Sequence, residues 1–190
     1  MIADSRNGRS GSANMSYFNS TQKNMSFEDV LENIVRFIKA SPDNRYRLAV
    51  GTDSQVKGRY TCFATGIHIH RIGQGAWCCV EKRIELKRYT SLKEKISMET
   101  LITYDVVFRL NEHLIYTLCE LTENYKNFEF RLEAHIDIGT RGETRKLIRE
   151  MVGYFESIGI DAKIKPDSFV ASSYANRFSK AIKKQKHIAV

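Results

Sequence analysis

Four acidic residues lie where the surrounding sequence does not favour a charge. Asp53 ends an apolar run in GTDSQ, and Asp137 lies near the end of an alternating run in HIDIG. Glu99 falls near the middle of a stripe of apolar residues at helical spacing, and Asp167 in KPDS directly precedes the last predicted helix. An ionised carboxylate on a core-facing stripe is costly unless it is paired or binds a metal. These acids are therefore candidates for a chemical role.

Each acid also has an ordinary structural explanation. Asp53 could form a turn with Ser54, Asp137 and Asp167 could act as caps, and Glu99 could be solvated or paired with a basic neighbour. Together, however, the ends of neighbouring strands and a helix crossing above them could converge on one spot. Oxygen ligands without a Cys or His cage suit Mg²⁺ or Mn²⁺, and two such ions about 4 Å apart can catalyse phosphodiester hydrolysis. We therefore predict one metal and catalytic site, formed by Asp53, Glu99, Asp137 and Asp167.

The net charge favours a polyanionic partner. Among 190 residues, 30 are Lys or Arg and 22 are Asp or Glu, which gives a formal charge of +8. Several basic residues closely follow the predicted acid positions, so they could contact phosphates flanking a metal site. We predict nucleic-acid contacts at Arg141, Lys165, Arg177 and Lys180. For the C-terminal lysine run, a solvated helix face is an equal alternative, and no motif indicates sequence-specific base recognition.

The chain is long enough for one α/β domain. Residues 1–24 are rich in Ser, Gly and Asn, so we predict a flexible tail there and a single domain over residues 25–190. Helices are predicted from Ser26 to Pro42 and over residues 91–125, 143–158 and 172–184. Strands are predicted over residues 47–53, 60–71, 76–86, 128–138 and 161–165. Three antiparallel strands followed by alternating helices and strands predict a mixed sheet with helices packed on it.

The remaining motifs carry less chemistry. The four cysteines form no CxxC pair, so reduced thiols in a cytoplasmic protein are expected. No apolar run approaches the length of a membrane span. His68 and His70 share a strand face, where a half-exposed pair is favoured over a metal site. His135 shares a face with Asp137, and could be either a proton shuttle or a surface residue.

Several longer motifs resemble a known family. The runs GTDSQ, GAWCC, SLKEKISMET, HIDIG, GYFESIGIDAKIKPDS and VASSYANR are similar to those of the YkuK family, bacterial proteins described as ribonuclease H-like, and the resemblance covers roughly residues 17–180. It implies a ribonuclease H-like α/β fold with a five-stranded mixed sheet in the order 3-2-1-4-5, here preceded by an extra helix. The acid positions of that superfamily fall on Asp53, Glu99, Asp137 and Asp167, although the approach to Asp167 is short and contains a proline.

Three functions follow as hypotheses. The first is a metal-dependent nuclease that acts on DNA, RNA or a hybrid. The second is a non-catalytic module that binds nucleic acid or a protein partner with the same fold. The third is an actin-like nucleotide-binding domain, because GTDSQ and DIGTRG resemble its phosphate loops; proteins of that kind use two domains to enclose ATP, whereas this chain has room for one.

Overall fold

The computed structural model describes residues 16–139 and 143–175. The strands are β1 (Tyr17–Phe18), β2 (Arg45–Lys57), β3 (Tyr60–Arg71), β4 (Ala76–Glu85), β5 (Glu129–His135) and β6 (Asp161–Lys163). The α-helices are α1 (Phe27–Lys39), α2 (Leu92–Asn124) and α3 (Ile148–Glu156). A 3₁₀ helix (Glu143–Leu147) precedes α3, and a single π-helical turn (Ala171–Ala175) ends the described part.

All six strands belong to one mixed sheet in the order β1-β4-β3-β2-β5-β6. The pairs β2–β5 and β5–β6 are parallel, and the other pairs are antiparallel. Without β1, and counted from β2, the other five strands follow the expected order 3-2-1-4-5. Consequently β2 lies at the centre, and its carboxyl end lies beside that of β5.

Strand β1, which is additional to the five expected strands, corrects the prediction that residues 1–24 form a flexible tail. Tyr17 and Phe18 pair with Val80 and Glu81 at the edge of the sheet, and the Tyr17 side chain is fully buried. Two aromatic residues are too short a run to show a strand period, so the polar composition around them concealed their role. Residues 1–15 lie outside the described part of the chain.

The two long helices cover one face of the sheet. Ser26 and Asp29 form the expected capping box, and α1 buries Phe27, Val30, Ile34 and Ile38. Helix α2 crosses β2, where the Thr103 hydroxyl donates to the Thr52 hydroxyl at 2.9 Å. The alternate residues of β2 that include Thr52 therefore face α2.

The opposite face of β2 is approached very closely by the chain after β6. A Cβ atom added at Gly51 would lie 2.8 Å from the His135 carbonyl oxygen and 3.0 Å from the Ala171 amide nitrogen. The His135 Nδ1 atom accepts hydrogen bonds from the amides of Phe169 and Val170, at 3.2 and 3.3 Å. We call residues 168–171 the crossing segment, because they lie over the middle of β2.

Two predicted helices differ from the structure. The helix expected over residues 143–158 begins as a 3₁₀ helix and becomes α-helical only at Ile148, where no side chain caps the first turn. The helix expected over residues 172–184 is represented by the π-helical turn, and residues 176–184 lie outside the described part. No helix among the described residues is long and apolar enough to span a membrane.

Candidate metal and nucleic-acid site

Asp53 and Ser54 lie on opposite faces of the sheet near the carboxyl end of β2. Ser54 pairs with Phe63, which packs under α2 against Ile102, whereas Asp53 pairs with Ala64. Because successive strand residues alternate, Asp53 faces away from α2. Burial raises the pKa of the Asp53 carboxyl, and the neighbouring charge of Asp137 raises it further, although Lys95 acts in the opposite direction. This end of the strand therefore already holds crowded negative charge.

Glu99 projects from α2 towards the other side of the same strand end. Its side chain is only 9% exposed, as expected from its place on the apolar stripe. The Ser54 hydroxyl donates to Oε1 at 2.7 Å, and the Lys95 ammonium lies 3.6 Å from the same oxygen. Burial raises the pKa of Glu99 from 4.5 to about 7, and the charges of Asp53 and Asp137 add to that rise. Glu99 can thus gain or lose a proton near neutral pH.

Asp137 follows β5 on the same face as Asp53. Val50 pairs with Ala134 in the parallel β2–β5 ladder, so continuing that register by three residues brings Asp137 level with Asp53. The Lys165 ammonium lies 2.7 Å from Asp137 Oδ1. Lys165 is in place because its amide donates to the Ile138 carbonyl, which continues the β5–β6 ladder. Asp53 and Asp137 are therefore a pair of acids on one face of adjacent parallel strands.

Asp167 stands apart from this pair. It is exposed and ends the turn after β6. The charges that act most on Asp53 are those of Lys95, Asp137 and Lys165, and those that act most on Glu99 are those of Lys95, Asp53 and Asp137; Asp167 is in neither set. Its charge instead helps to raise the pKa of Lys163, for which hydrogen bonding to Asp161 is the largest cause. The structure thus couples three of the four predicted acids.

The donor chemistry fits a hard cation, but the carboxylates do not form a complete ligand set. Over residues 16–139 and 143–175, no group of three or more His, Cys, Asp or Glu side chains is arranged to hold a metal ion. A physical reason is that Asp53 points away from α2, whereas Glu99 projects from α2 onto the other face of β2. Mg²⁺ is nevertheless often held by one or two carboxylates together with substrate phosphates. The Asp53–Asp137 pair fits that mode of binding. The metal site itself stays a prediction.

Of the four predicted nucleic-acid contacts, only Lys165 lies in the described part. Its side chain is 48% exposed while its ammonium contacts Asp137. Arg141, Arg177 and Lys180 lie outside the described residues.

The sequence pattern indicated His135 but not three other polar residues around the acids, namely Lys95, Ser54 and Glu133. Lys95 could have been found, because its i,i+4 spacing from Glu99 is that of a helical ion pair. Ser54 had been interpreted only as a turn residue. Glu133 and His135 form a buried pair at 3.2 Å on the face of Asp53. Because His135 Nδ1 accepts two amide hydrogens, its proton resides on Nε2 and is donated to Glu133.

Comparison with known proteins identifies relatives of this chain. A family described as Ribonuclease H-like matches residues 29–180. The "Uncharacterized protein YkuK" of Bacillus subtilis (strain 168) is 40% identical over 166 residues, which cover 86% of this chain and 96% of that protein. No solved structure matches the chain.

Proposed function

This chain belongs to the ribonuclease H-like family, and from that premise we propose that it is a metal-dependent nuclease hydrolysing phosphodiester bonds in DNA, RNA or a hybrid. The observation that carries the proposal is the Asp53–Asp137 pair at the carboxyl ends of β2 and β5. Both side chains lie on one face, and each carries charge that is unfavourable to the other. A divalent cation beside the pair would relieve that repulsion.

Asp53 and Asp137 would hold Mg²⁺ or Mn²⁺ together with the phosphate of the nucleic acid. When bound, the ion would supply an activated water and stabilise charge on the phosphate. Lys165 would exchange its contact with Asp137 for a contact with a phosphate, since its side chain is half exposed and its ammonium is already at this position. Glu99, whose pKa of about 7 suits proton transfer at neutral pH, would donate or accept a proton at this end of β2, where its charge is already coupled to those of Asp53 and Asp137.

A cleavage assay tests this proposal. Purified protein is incubated with a panel of single-stranded, duplex, hybrid and branched DNA and RNA, with Mg²⁺, Mn²⁺ or a chelator. We expect metal-dependent cleavage that Asp53→Asn and Asp137→Asn each reduce by about a thousandfold or more, because metal ligands act as a unit. The matched control is Asp105→Asn, an exposed acid on α2. If folded protein binds the panel but cuts no member with either metal, the nuclease proposal is wrong.

A second candidate is a non-catalytic nucleic-acid-binding module. It is favoured by the lysines, because Lys95 and Lys165 already neutralise Glu99 and Asp137 without a metal ion. This function requires that binding survive chelation and that Asp53→Asn leave the affinity unchanged. Titration of a fluorescent oligonucleotide with and without chelator separates the two candidates, since the nuclease proposal expects Mn²⁺ and nucleic acid to strengthen each other's binding.

A further inference from the structure

Three arginines line a cavity near the amino end of β2, far from the acids. The cavity has a volume of about 270 Å³, and its walls include Arg45, Arg47, Arg131, Glu129 and Glu133. Arg45 and Arg47 are two residues apart on β2, so both project from the same face. This is also the face of Asp53, six residues further along the strand.

The strand register places cations side by side. Arg47 lies directly opposite Arg131 in the parallel β2–β5 ladder and opposite His70 in the antiparallel β2–β3 ladder. We call Arg47, Arg131 and His70 the basic row. Like charges directly opposite each other on neighbouring strands are destabilising. An arrangement of this kind is therefore expected to have a counter-ion.

Glu129 and Glu133 also line the cavity, but no ion pair between described residues joins either of them to an arginine there. Among the ion pairs between described residues, none within 4.0 Å involves Arg45, Arg47 or Arg131. The Arg47 Nε atom is buried and has no hydrogen-bond partner among the residues that the structure describes. Although Glu133 lines the cavity, its Oε2 atom is hydrogen bonded to His135 at 3.2 Å. Buried polar groups without a partner are rare, and an ion or water is the usual explanation.

We propose that this cavity binds a phosphate group between Arg47 and Arg131. Guanidinium groups hold phosphate oxygens through paired, charge-assisted hydrogen bonds, and two of them on adjacent strands can bind one phosphate together. The volume is slightly below the usual range for sites that enclose a whole organic ligand, so a phosphate or diphosphate group fits better than a complete nucleotide. Arg45, which is exposed at the mouth, contributes a third positive charge. This site does not depend on the nuclease proposal, because its walls do not include Asp53, Glu99 or Asp137.

Calorimetric titration with inorganic phosphate and with pyrophosphate tests the site in the full chain. We expect binding that Arg47→Gln or Arg131→Gln weakens by about 10- to 100-fold, since each removes hydrogen bonds between charged groups. The control Arg59→Gln removes an equal charge from the exposed β2–β3 turn and leaves the affinity unchanged. Arg131 is exposed, so that variant folds even where the partly buried Arg47 variant does not.

A second set of titrations identifies the source of the phosphate. The probes are two oligonucleotides of the same sequence, one with and one without a 5′-phosphate. If Arg131→Gln weakens only the phosphorylated oligonucleotide, the site holds the end of a nucleic acid; if inorganic phosphate or pyrophosphate binds as tightly as that oligonucleotide, the ligand is a free phosphate compound. Failure of all four probes to bind, or equal binding by wild type and Arg131→Gln, would overturn the proposal. Neither result bears on cleavage at Asp53.

Discussion

The two ends of β2 carry opposite charges on the same face of the sheet. At the carboxyl end Asp53 lies beside Asp137, and at the amino end Arg47 lies beside Arg131. Six residues separate Arg47 from Asp53, which corresponds to roughly 20 Å along a strand. The acids are partly neutralised, since Lys165 contacts Asp137, whereas the described residues place no carboxylate within 4.0 Å of the arginines. A cation at the acid end must therefore displace a lysine, whereas an anion at the arginine end displaces no ion pair between described residues.

The crossing segment separates the two ends. It lies over Gly51, between Arg47 and Asp53, and is held there by the His135 ring. Because this segment covers the middle of the face, a ligand at one end has no direct path along β2 to the other. The contrast between the ends thus depends on His135 and Gly51 as much as on the charged residues.

The largest expected effect comes from releasing the crossing segment. We expect His135→Ala to lower the free energy of unfolding by about 4 kcal/mol, because two amides lose their acceptor and buried Glu133 loses its donor. Urea denaturation measures the change. The control His113→Ala, on the exposed side of α2, should cost less than about 1 kcal/mol. Similar costs for the two variants would show that His135 does not hold the segment.

We expect Glu99, at the carboxyl end of β2, to make the free energy of unfolding depend on pH. Folded Glu99 holds its proton more tightly than unfolded Glu99, since burial raises its pKa from 4.5 to about 7. The unfolded state therefore binds fewer protons between these values, and the free energy of unfolding falls as pH rises from about 4.5 through about 7, by roughly 3 kcal/mol at most.

Glu99→Gln should remove this slope, because a glutamine can still accept the Ser54 hydrogen bond but cannot ionise. Near pH 8 the variant should consequently be more stable than the wild type, by up to roughly 3 kcal/mol. Denaturation curves over the pH range measure both effects, with Glu123→Gln at the exposed end of α2 as the control. An unchanged slope in Glu99→Gln would assign the pH dependence to another group.

The close contact at Gly51 predicts a smaller loss. We expect Gly51→Ala to cost about 2 kcal/mol, because its Cβ would clash with backbone atoms of His135 and Ala171, which cannot rotate away. The matched control is Gly153→Ala in α3, where no atom lies within 4 Å of the new Cβ. There alanine should stabilise the helix by about 0.5 to 1 kcal/mol. If both variants were stabilised, the crossing segment would be looser than the structure indicates.

The smallest effect tests the basic row. In phosphate-free buffer of low ionic strength, Arg131→Gln should raise the free energy of unfolding by about 0.5 kcal/mol, because it removes a like charge opposite Arg47. Added salt should abolish the gain by screening the repulsion. Thermal melts across a salt series measure it, and a loss of stability at low salt would mean that Arg131 has a favourable partner.

Much of the fold could be predicted from the sequence, because apolar periodicity is a local property. The alternation from Phe128 to Ile138 predicted β5, and the long apolar stripe predicted α2 almost to its ends. The π-helical turn and the 3₁₀ start of the third helix could not be predicted, since their apolar spacing is also that of an ordinary helix. Edge strand β1 was missed because it consists of only two residues.

The sequence predicted which residues belong to the candidate site better than it predicted how they are arranged. The burial of Glu99 followed from its position on the apolar stripe of α2. The shared face of Asp137 and His135 followed from the alternation of apolar and polar residues in the strand before them. The orientation of Asp53 away from α2, and so away from the face that Glu99 contacts, could not be predicted, because it depends on which alternate residues of β2 face α2. The basic row was equally hidden, since Arg47, His70 and Arg131 are neighbours only through strand register.

The short strand β1 has a consequence for association between molecules. Strand β4 would otherwise end the sheet with unpaired amides and carbonyls, which are a template for another chain. Tyr17 and Phe18 occupy part of that template, and the Tyr17 ring shields Glu81, which is only 4% exposed. A chain shortened to begin at Met25 would thus uncover both a hydrogen-bonding edge and a buried acid, and we expect it to self-associate more strongly than the longer chain.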